Sequence, residues 1–259
     1  MESYEAYIKE LRDYLDEKRQ AKRSFREIRC PYDPSLLIEG LPIKIGPRAN
    51  PRAIILQEDT HIELGNPRSG SCAMLLWTNN LSLVNDSQIS LIGPEIDEAA
   101  NKSLPFAQIL LIGGRGLEEK DHLELDRMQF VSDQVEGYMI RSVPRKMWCR
   151  VSKSAVQKGF SLEILGRALI YLYKAKMPQI EAMEVIFITS SKDDVLGLEK
   201  LATQARKTKW ERKKLKLRED GLYECDDLTC ETCDEKPVCD EIRDLIVVRK
   251  QAKEIEQRV

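Results

Sequence analysis

Two strongly apolar runs set the tightest limit on how this chain can fold. Residues 106–112 (Phe-Ala-Gln-Ile-Leu-Leu-Ile) and 183–189 (Met-Glu-Val-Ile-Phe-Ile-Thr) have the length of strands and are rich in isoleucine, valine and leucine. A run that is apolar at consecutive positions, rather than alternately, belongs in a sheet covered on both faces. Between the two runs, Leu162, Leu165, Ala168, Leu169 and Leu172 recur at the helical period and predict a helix over 161–176. Met177-Pro178 must end it, because proline lacks the amide proton and disfavours helical backbone before it. Residues 147–151 read as a further strand. Gly113-Gly114-Arg115-Gly116 breaks the first run, and a helix of about twenty residues is expected from Leu117. Strand–helix–strand–helix–strand order across 106–189 predicts an α/β (mixed α+β) fold, a layered mixed sheet with flanking helices.

The flanks read differently. Residues 2–29 carry Tyr4, Ile8, Leu11 and Leu15 at helical spacing in a charged background, which predicts a single amphipathic helix. Residues 31–51 hold five of the eleven prolines and predict an extended connector. Short runs at 53–57, 61–64, 72–77, 81–84 and 89–92 suggest a meander of strands. A long helix is expected over 192–218 and a charged one over 240–258. The expected organisation is therefore an N-terminal helical arm (1–30), an α/β domain (31–220) and a small C-terminal cysteine module with a terminal helix (221–259).

A net charge of −2 gives no global case for nucleic-acid or membrane binding. The basic run over 206–218 is interrupted by Glu211 and adjoins an acidic segment, so it reads as a solvated face or an intramolecular partner rather than a nucleic-acid site. No apolar stretch has the length to cross a bilayer, and the first residues show neither a basic start nor an apolar run. A cytoplasmic location is expected, where thiols stay reduced, and seven cysteines do not suit a closed disulfide framework.

Metal or cluster binding is the better use for Cys225, Cys230, Cys233 and Cys239, which crowd into fifteen residues as C-x4-C-x2-C-x5-C. Zinc in tetrahedral thiolate coordination suits so compact a knot. A 4Fe–4S cluster takes the same four thiolates, and spacing alone leaves the two open, with unliganded surface thiols as the remaining reading. Asp226, Asp227, Glu231, Asp234 and Glu235 raise the cost of the negative charge either centre carries. Cys30, Cys72 and Cys149 read as single structural or connector thiols, and His61 and His122 lie in no recognisable acid–base or metal spacing.

Two further groupings carry a ligand reading beside a structural one. The Gly113–Gly116 turn can present amides to a phosphate, but it matches neither a P-loop nor a dinucleotide fingerprint and reads first as a tight turn. Arg141, Arg145, Lys146, Arg150 and Lys153 surround Trp148, a pattern able to stack a base and bind phosphates, or simply the solvated edge of a strand.

Ile92-Gly-Pro-Glu-Ile-Asp97, Leu104-Pro105 and the strand into Gly114-Arg115 open a longer series of familiar segments. It continues through Glu136-Gly-Tyr138, Trp148-Cys-Arg-Val-Ser-Lys153, Gly159-Phe-Ser-Leu162, Leu165-Gly166 and the Met177-Pro178 break, then the strand at 184–189, Tyr223-Glu-Cys225 and Val238-Cys239. In order and spacing, residues 90–240 resemble the acetyl-CoA synthase (acetyl-CoA decarbonylase/synthase) β subunit family. That resemblance implies a cluster domain opening at Tyr223-Glu-Cys225 and coenzyme A handling at Trp148, Arg141, Arg145 and Arg150. It implies a corrinoid protein or a carbon monoxide dehydrogenase-type subunit as partner, in anaerobic one-carbon metabolism. The cysteine spacing departs from the family's, and its nickel-holding Cys-Gly-Cys is absent from the sequence. The chain is therefore expected to carry no nickel and not to make acetyl-CoA alone. A zinc-stapled, non-redox module binding a CoA-like ligand or a protein is the alternative.

Overall fold

The structure, a computed structural model, describes residues 4–21, 24–51, 54–130, 132–142, 147–210, 216–217 and 223–224. Contacts divide the chain into two compact units, Met1–Thr203 and Gln204–Val259.

The first unit is built on a five-stranded mixed sheet in the order β1-β4-β9-β6-β3. Its strands are β1 (Phe25–Arg29), β3 (Ser71–Thr78), β4 (Gln88–Ile92), β6 (Phe106–Gly113) and β9 (Ala182–Ile188). Every residue of β3, β4, β6 and β9 is buried, as the two apolar runs require. β6 lies parallel to β3 and antiparallel to β9, and β9 is parallel to β4. A second sheet, in the order β5-β2-β8-β7, comprises β2 (Thr60–Leu64), β5 (Ser103–Leu104), β7 (Tyr138–Ser142) and β8 (Trp148–Ser152). The mixed α/β expectation is met.

Residues on one face of the first sheet, among them Leu75, Phe106, Leu110, Val185 and Phe187, share a core with Ile62, Leu64, Cys149 and Val151 of the second sheet. The helix α5 (Leu162–Lys176) joins that core through Leu165 and Leu169. Ser161 starts α5 by accepting from the Ile164 amide, and the helix stops at Met177. Gly166 lets it approach β4 closely, since a methyl there would lie 2.7 Å from Ile89 Cδ1. The alternate residues, such as Met74, Leu76, Ile109, Leu111 and Ile186, are just as buried and face the other way. On that side α1 (Glu5–Gln20) sends Arg12 to Glu184 of β9, and α1 meets the start of α6 (Lys192–Trp210) through Lys18 and Asp194, 3.1 Å apart.

Several local expectations are corrected. The helix predicted over 2–29 ends at Gln20, and Phe25–Arg29 pairs antiparallel with β4, a fully buried strand that needs a partner on that edge. The connector contains a short helix, α2 (Pro34–Ile38), begun by Asp33 accepting from the Ser35 amide. The proposed meander is absent: β3 and β4 are not neighbours, and β2 belongs to the other sheet. Residues 81–83 form a 3-10 turn because the Asn80 side chain captures the Ser82 amide, and residues 54–56 are irregular. The long helix after Leu117 shrinks to α3 (His122–Met128), since the chain must leave it to bury Val135 and Tyr138. The strand at 147–151 is β8, and the short helix α4 (Lys153–Gln157) follows it. Helix α6 ends at Trp210 rather than 218, and Lys216-Leu217 (β10) pairs antiparallel with Tyr223-Glu224 (β11). The helix expected over 240–258 lies outside the described residues.

Candidate functional site

The sequence of β8 alternates in a way that sorts its side chains. Cys149 and Val151 are fully buried, so Trp148 and Arg150 stand together on the opposite, outer face of the second sheet. The neighbouring strand β7 places the Arg141 guanidinium over the Trp148 ring, 4.4 Å from its centroid. That is a cation–π contact, and it holds a charge on the aromatic face. The indole Nε1 is buried and donates to nothing among the described residues. Leaving such a donor unpaired costs free energy.

Arg150 is held differently. Its Nε donates to Glu63 Oε1 at 2.9 Å, its Nη1 donates to the Ile55 carbonyl at 3.1 Å, and it is only 8% exposed. It therefore ties the irregular segment 54–56 and strand β2 to β8, and the Met139 sulfur accepts from the Ile55 amide on the same face. Arg141 is the exposed cation of the pair. Arg145 lies outside the described residues, and so do Cys225, Cys230, Cys233 and Cys239. The β10–β11 pairing ends one residue before Cys225.

The inner face of the sheet accounts for one lone thiol. The Tyr138 hydroxyl lies 2.9 Å from Cys149 Sγ, and burial pushes the Cys149 thiol up to about 12 and the Tyr138 phenol well above its usual range. A thiol so reluctant to ionise is a packing group, not a nucleophile. Cys30 is similar, pushed up to about 11 by burial, and Cys72 is buried in β3. Among the described residues no group of three or more His, Cys, Asp or Glu side chains is arranged to hold a metal.

The glycine turn is a structural one. The Arg115 amide donates to Glu181 Oε1 at 2.9 Å, and its guanidinium lies 3.4 Å from Glu181 Oε2, so a carboxylate of the chain itself occupies the place a phosphate would take. His122 Nδ1 accepts from the Trp77 indole at 3.2 Å beneath the ring of Tyr4, again a packing role. One feature had no signal in the sequence. A cavity of ≈ 500 Å³ opens on the β5 side of the second sheet and collects His61, Glu63, Lys102, Ser103 and Lys153 from three separate stretches of chain.

Comparison with known proteins gives a consistent result. Residues 41–195 match the family described as CO dehydrogenase/acetyl-CoA synthase complex beta subunit. The acetyl-CoA decarbonylase/synthase complex subunit beta of Methanopyrus kandleri is 33% identical over 204 residues, which is 77% of this chain and 43% of that protein. The subunit of the same name from Methanothermobacter thermautotrophicus is 29% identical over 211 residues, 78% of this chain and 44% of its own length. That of Archaeoglobus fulgidus is 30% identical over 166 residues, 63% of this chain and 29% of its own. The chain spans less than half the length of these relatives. The matched region contains both described sheets from β2 onward and the whole Trp148 face, and on that match the chain belongs to the CO dehydrogenase/acetyl-CoA synthase complex beta subunit family.

Proposed function

We propose that this chain is an accessory member of its family, a binding and electron-handling protein of one-carbon metabolism in the cytoplasm rather than a self-sufficient synthase. The observation that carries this reading is the outer face of the second sheet, where Arg141 caps the Trp148 ring beside an indole donor that has no partner among the described residues. A flat aromatic surface with a fixed cation and a spare donor suits a nucleotide base with a phosphate attached, and coenzyme A has both. Trp148 would stack the base, Arg141 would meet a phosphate, and Arg150 would hold the surface in place through Glu63. Arg145, in the adjoining segment of sequence, is proposed as a further phosphate contact.

Cys225, Cys230, Cys233 and Cys239 are proposed to hold a 4Fe–4S cluster. Four thiolates supply the complete ligand set for such a cluster, and the described cysteines are buried singly elsewhere, so the donor set fits. When bound, the cluster would supply one-electron chemistry. The sequence has no Cys-Gly-Cys, and no nickel is expected. The proposed organisation keeps an N-terminal segment to residue 30, a ligand-binding α/β body to residue 220 and the cysteine module from 221. The relatives are named as subunits of a complex, which supports a protein partner: a corrinoid protein or a carbon monoxide dehydrogenase-type subunit.

Anaerobic purification with metal and sulfide analysis tests the cluster. Broad absorbance near the violet edge of the visible spectrum, with iron and sulfide, is expected. Colourless protein carrying zinc would replace the cluster with a structural staple and end the electron-handling part of the proposal. Coenzyme A titration tests the ligand site: saturable quenching of tryptophan fluorescence is expected in the wild type and should disappear in Trp148→Phe.

A further inference from the structure

The outer face of the second sheet continues beyond Arg150. Glu63 of β2 lies opposite Arg150 in the antiparallel register and beside Ser103 of β5 in the parallel one, so all three point the same way. Trp148 is two residues from Arg150 along β8, about 7 Å, and each strand crossed adds about 4.8 Å. The near wall of the ≈ 500 Å³ cavity, Glu63, is thus about 8 Å from Trp148, and Ser103 is about 12 Å away. Segment 54–56, pinned by Arg150 and Met139, lies over the same face with Ile54 and Leu56 exposed.

The cavity's donors are specific. Lys153 Nζ donates to the Glu58 carbonyl at 2.6 Å, which steadies the ammonium at the rim and leaves it further protons to give. The Glu63 amide donates to the Lys102 carbonyl at 2.9 Å, which fixes the backbone of Lys102, while its ammonium makes no ion pair among the described residues. The His61 ring and the Asn101 amide line the same space. Of the two carboxylates in the lining, Glu63 is paired with Arg150, so two ammonium groups and an imidazole share the cavity with Glu58, which makes no ion pair among the described residues. Donors that share one cavity with a surplus of positive charge are matched by the three oxygens of a phosphate monoester. The volume falls in the range that holds a small organic ligand.

We propose that this cavity, through Lys102, Lys153 and His61, binds the phosphate monoester of a ligand whose base stacks on Trp148. The inference rests on the coenzyme A reading and adds to it a reason to distinguish coenzyme A, which bears a ribose phosphate monoester, from its dephosphorylated form. Calorimetric titration of the full chain with coenzyme A, dephospho-coenzyme A and inorganic phosphate tests it. Coenzyme A should bind roughly tenfold or more tightly than dephospho-coenzyme A, since charge-assisted hydrogen bonds are lost with the phosphate. Lys102→Ala should erase that preference without changing dephospho-coenzyme A affinity, and inorganic phosphate should bind more weakly than coenzyme A. Equal binding of the two cofactor forms, with Lys102→Ala neutral, overturns the cavity assignment and leaves the Trp148 reading standing. If neither form binds, the coenzyme A reading falls. The His61 ring resonance, titrated with adenosine 3′,5′-bisphosphate, then decides the cavity alone: a shift lost in Lys102→Ala upholds it, and no shift overturns it.

Discussion

Replacing Arg12 with methionine keeps an unbranched apolar stem while deleting the guanidinium and its charge. In the native protein Arg12 Nη1 lies 2.7 Å from Glu184 Oε1, and Nη2 lies 2.5 Å from Oε2 and 2.9 Å from the Leu83 carbonyl. Burial works against the Arg12 charge, but the hydrogen bonds and attraction of Glu184 more than offset it and hold its pKa above the ordinary value. Glu184 is fully buried in β9, where it also accepts from the Asn85 amide at 3.0 Å. Removing the arginine leaves that carboxylate in the core without a counter-charge, which typically costs about 3–5 kcal/mol. With a urea dependence of about 3 kcal/mol per molar, the unfolding midpoint should fall by about 1–1.7 M. The assay is urea unfolding of the full chain followed by circular dichroism, for Arg12→Met, Glu184→Gln and the double variant. The double variant should recover much of the loss, because removing both partners spares the unpaired charge. A midpoint shift for Arg12→Met below about 0.2 M, or a double variant as unstable as the sum of the singles, would refute the claim that α1 is clamped to the sheet by a buried ion pair.

Three further outcomes are expected. Gly137→Ala should destabilise the fold by about 2–5 kcal/mol, because its φ of +72° is left-handed and the new methyl would lie 2.3 Å from Ala155 Cβ; chemical denaturation measures it. Above pH 9 the protein should lose stability steadily. The Cys149 thiol, raised from 9.0 to about 12 by burial, stays protonated in the fold while the unfolded chain releases its proton, so stability is full below pH 9 and falls towards pH 12. Burial raises the Tyr138 phenol as well and adds to the same alkaline loss, read as a falling melting temperature from pH 8 to 11. Arg150→Met should lower stability by about 1–3 kcal/mol by stranding Glu63, whereas exposed Arg141→Ala should stay within about 1 kcal/mol of the wild type, so thermal melts separate the two arginines.

The elements visible in the sequence are those whose burial follows from their own residues. The runs that became β6 and β9 are apolar throughout because both faces of their sheet are covered, and α5 declares itself by its period, its Ser161 cap and the following proline. The elements misread are those decided by a distant partner. Phe25–Arg29 has no strong strand pattern and is a strand because β4 offers it an edge, while residues 81–83 turn because Asn80 captures a nearby amide. Trp148, Arg141 and Arg150 stood out as cations around an aromatic, but composition could not distinguish Arg150, bound to Glu63, from Arg141, which lies on the ring.

What the sequence determined by itself was the fold class, the family and the four clustered thiols, since each depends on residues close together in the chain or on their order along it. What only the tertiary structure decided was which charges are free. Arg12 and Glu184 stand 172 positions apart and meet in the core, whereas His61, Lys102 and Lys153 arrive at one cavity from three stretches of chain. A local pattern records how a residue packs against its neighbours in sequence. Charge pairing depends on side chains meeting within a few ångströms across the sheet, and that proximity exists only once the strands have been brought into register.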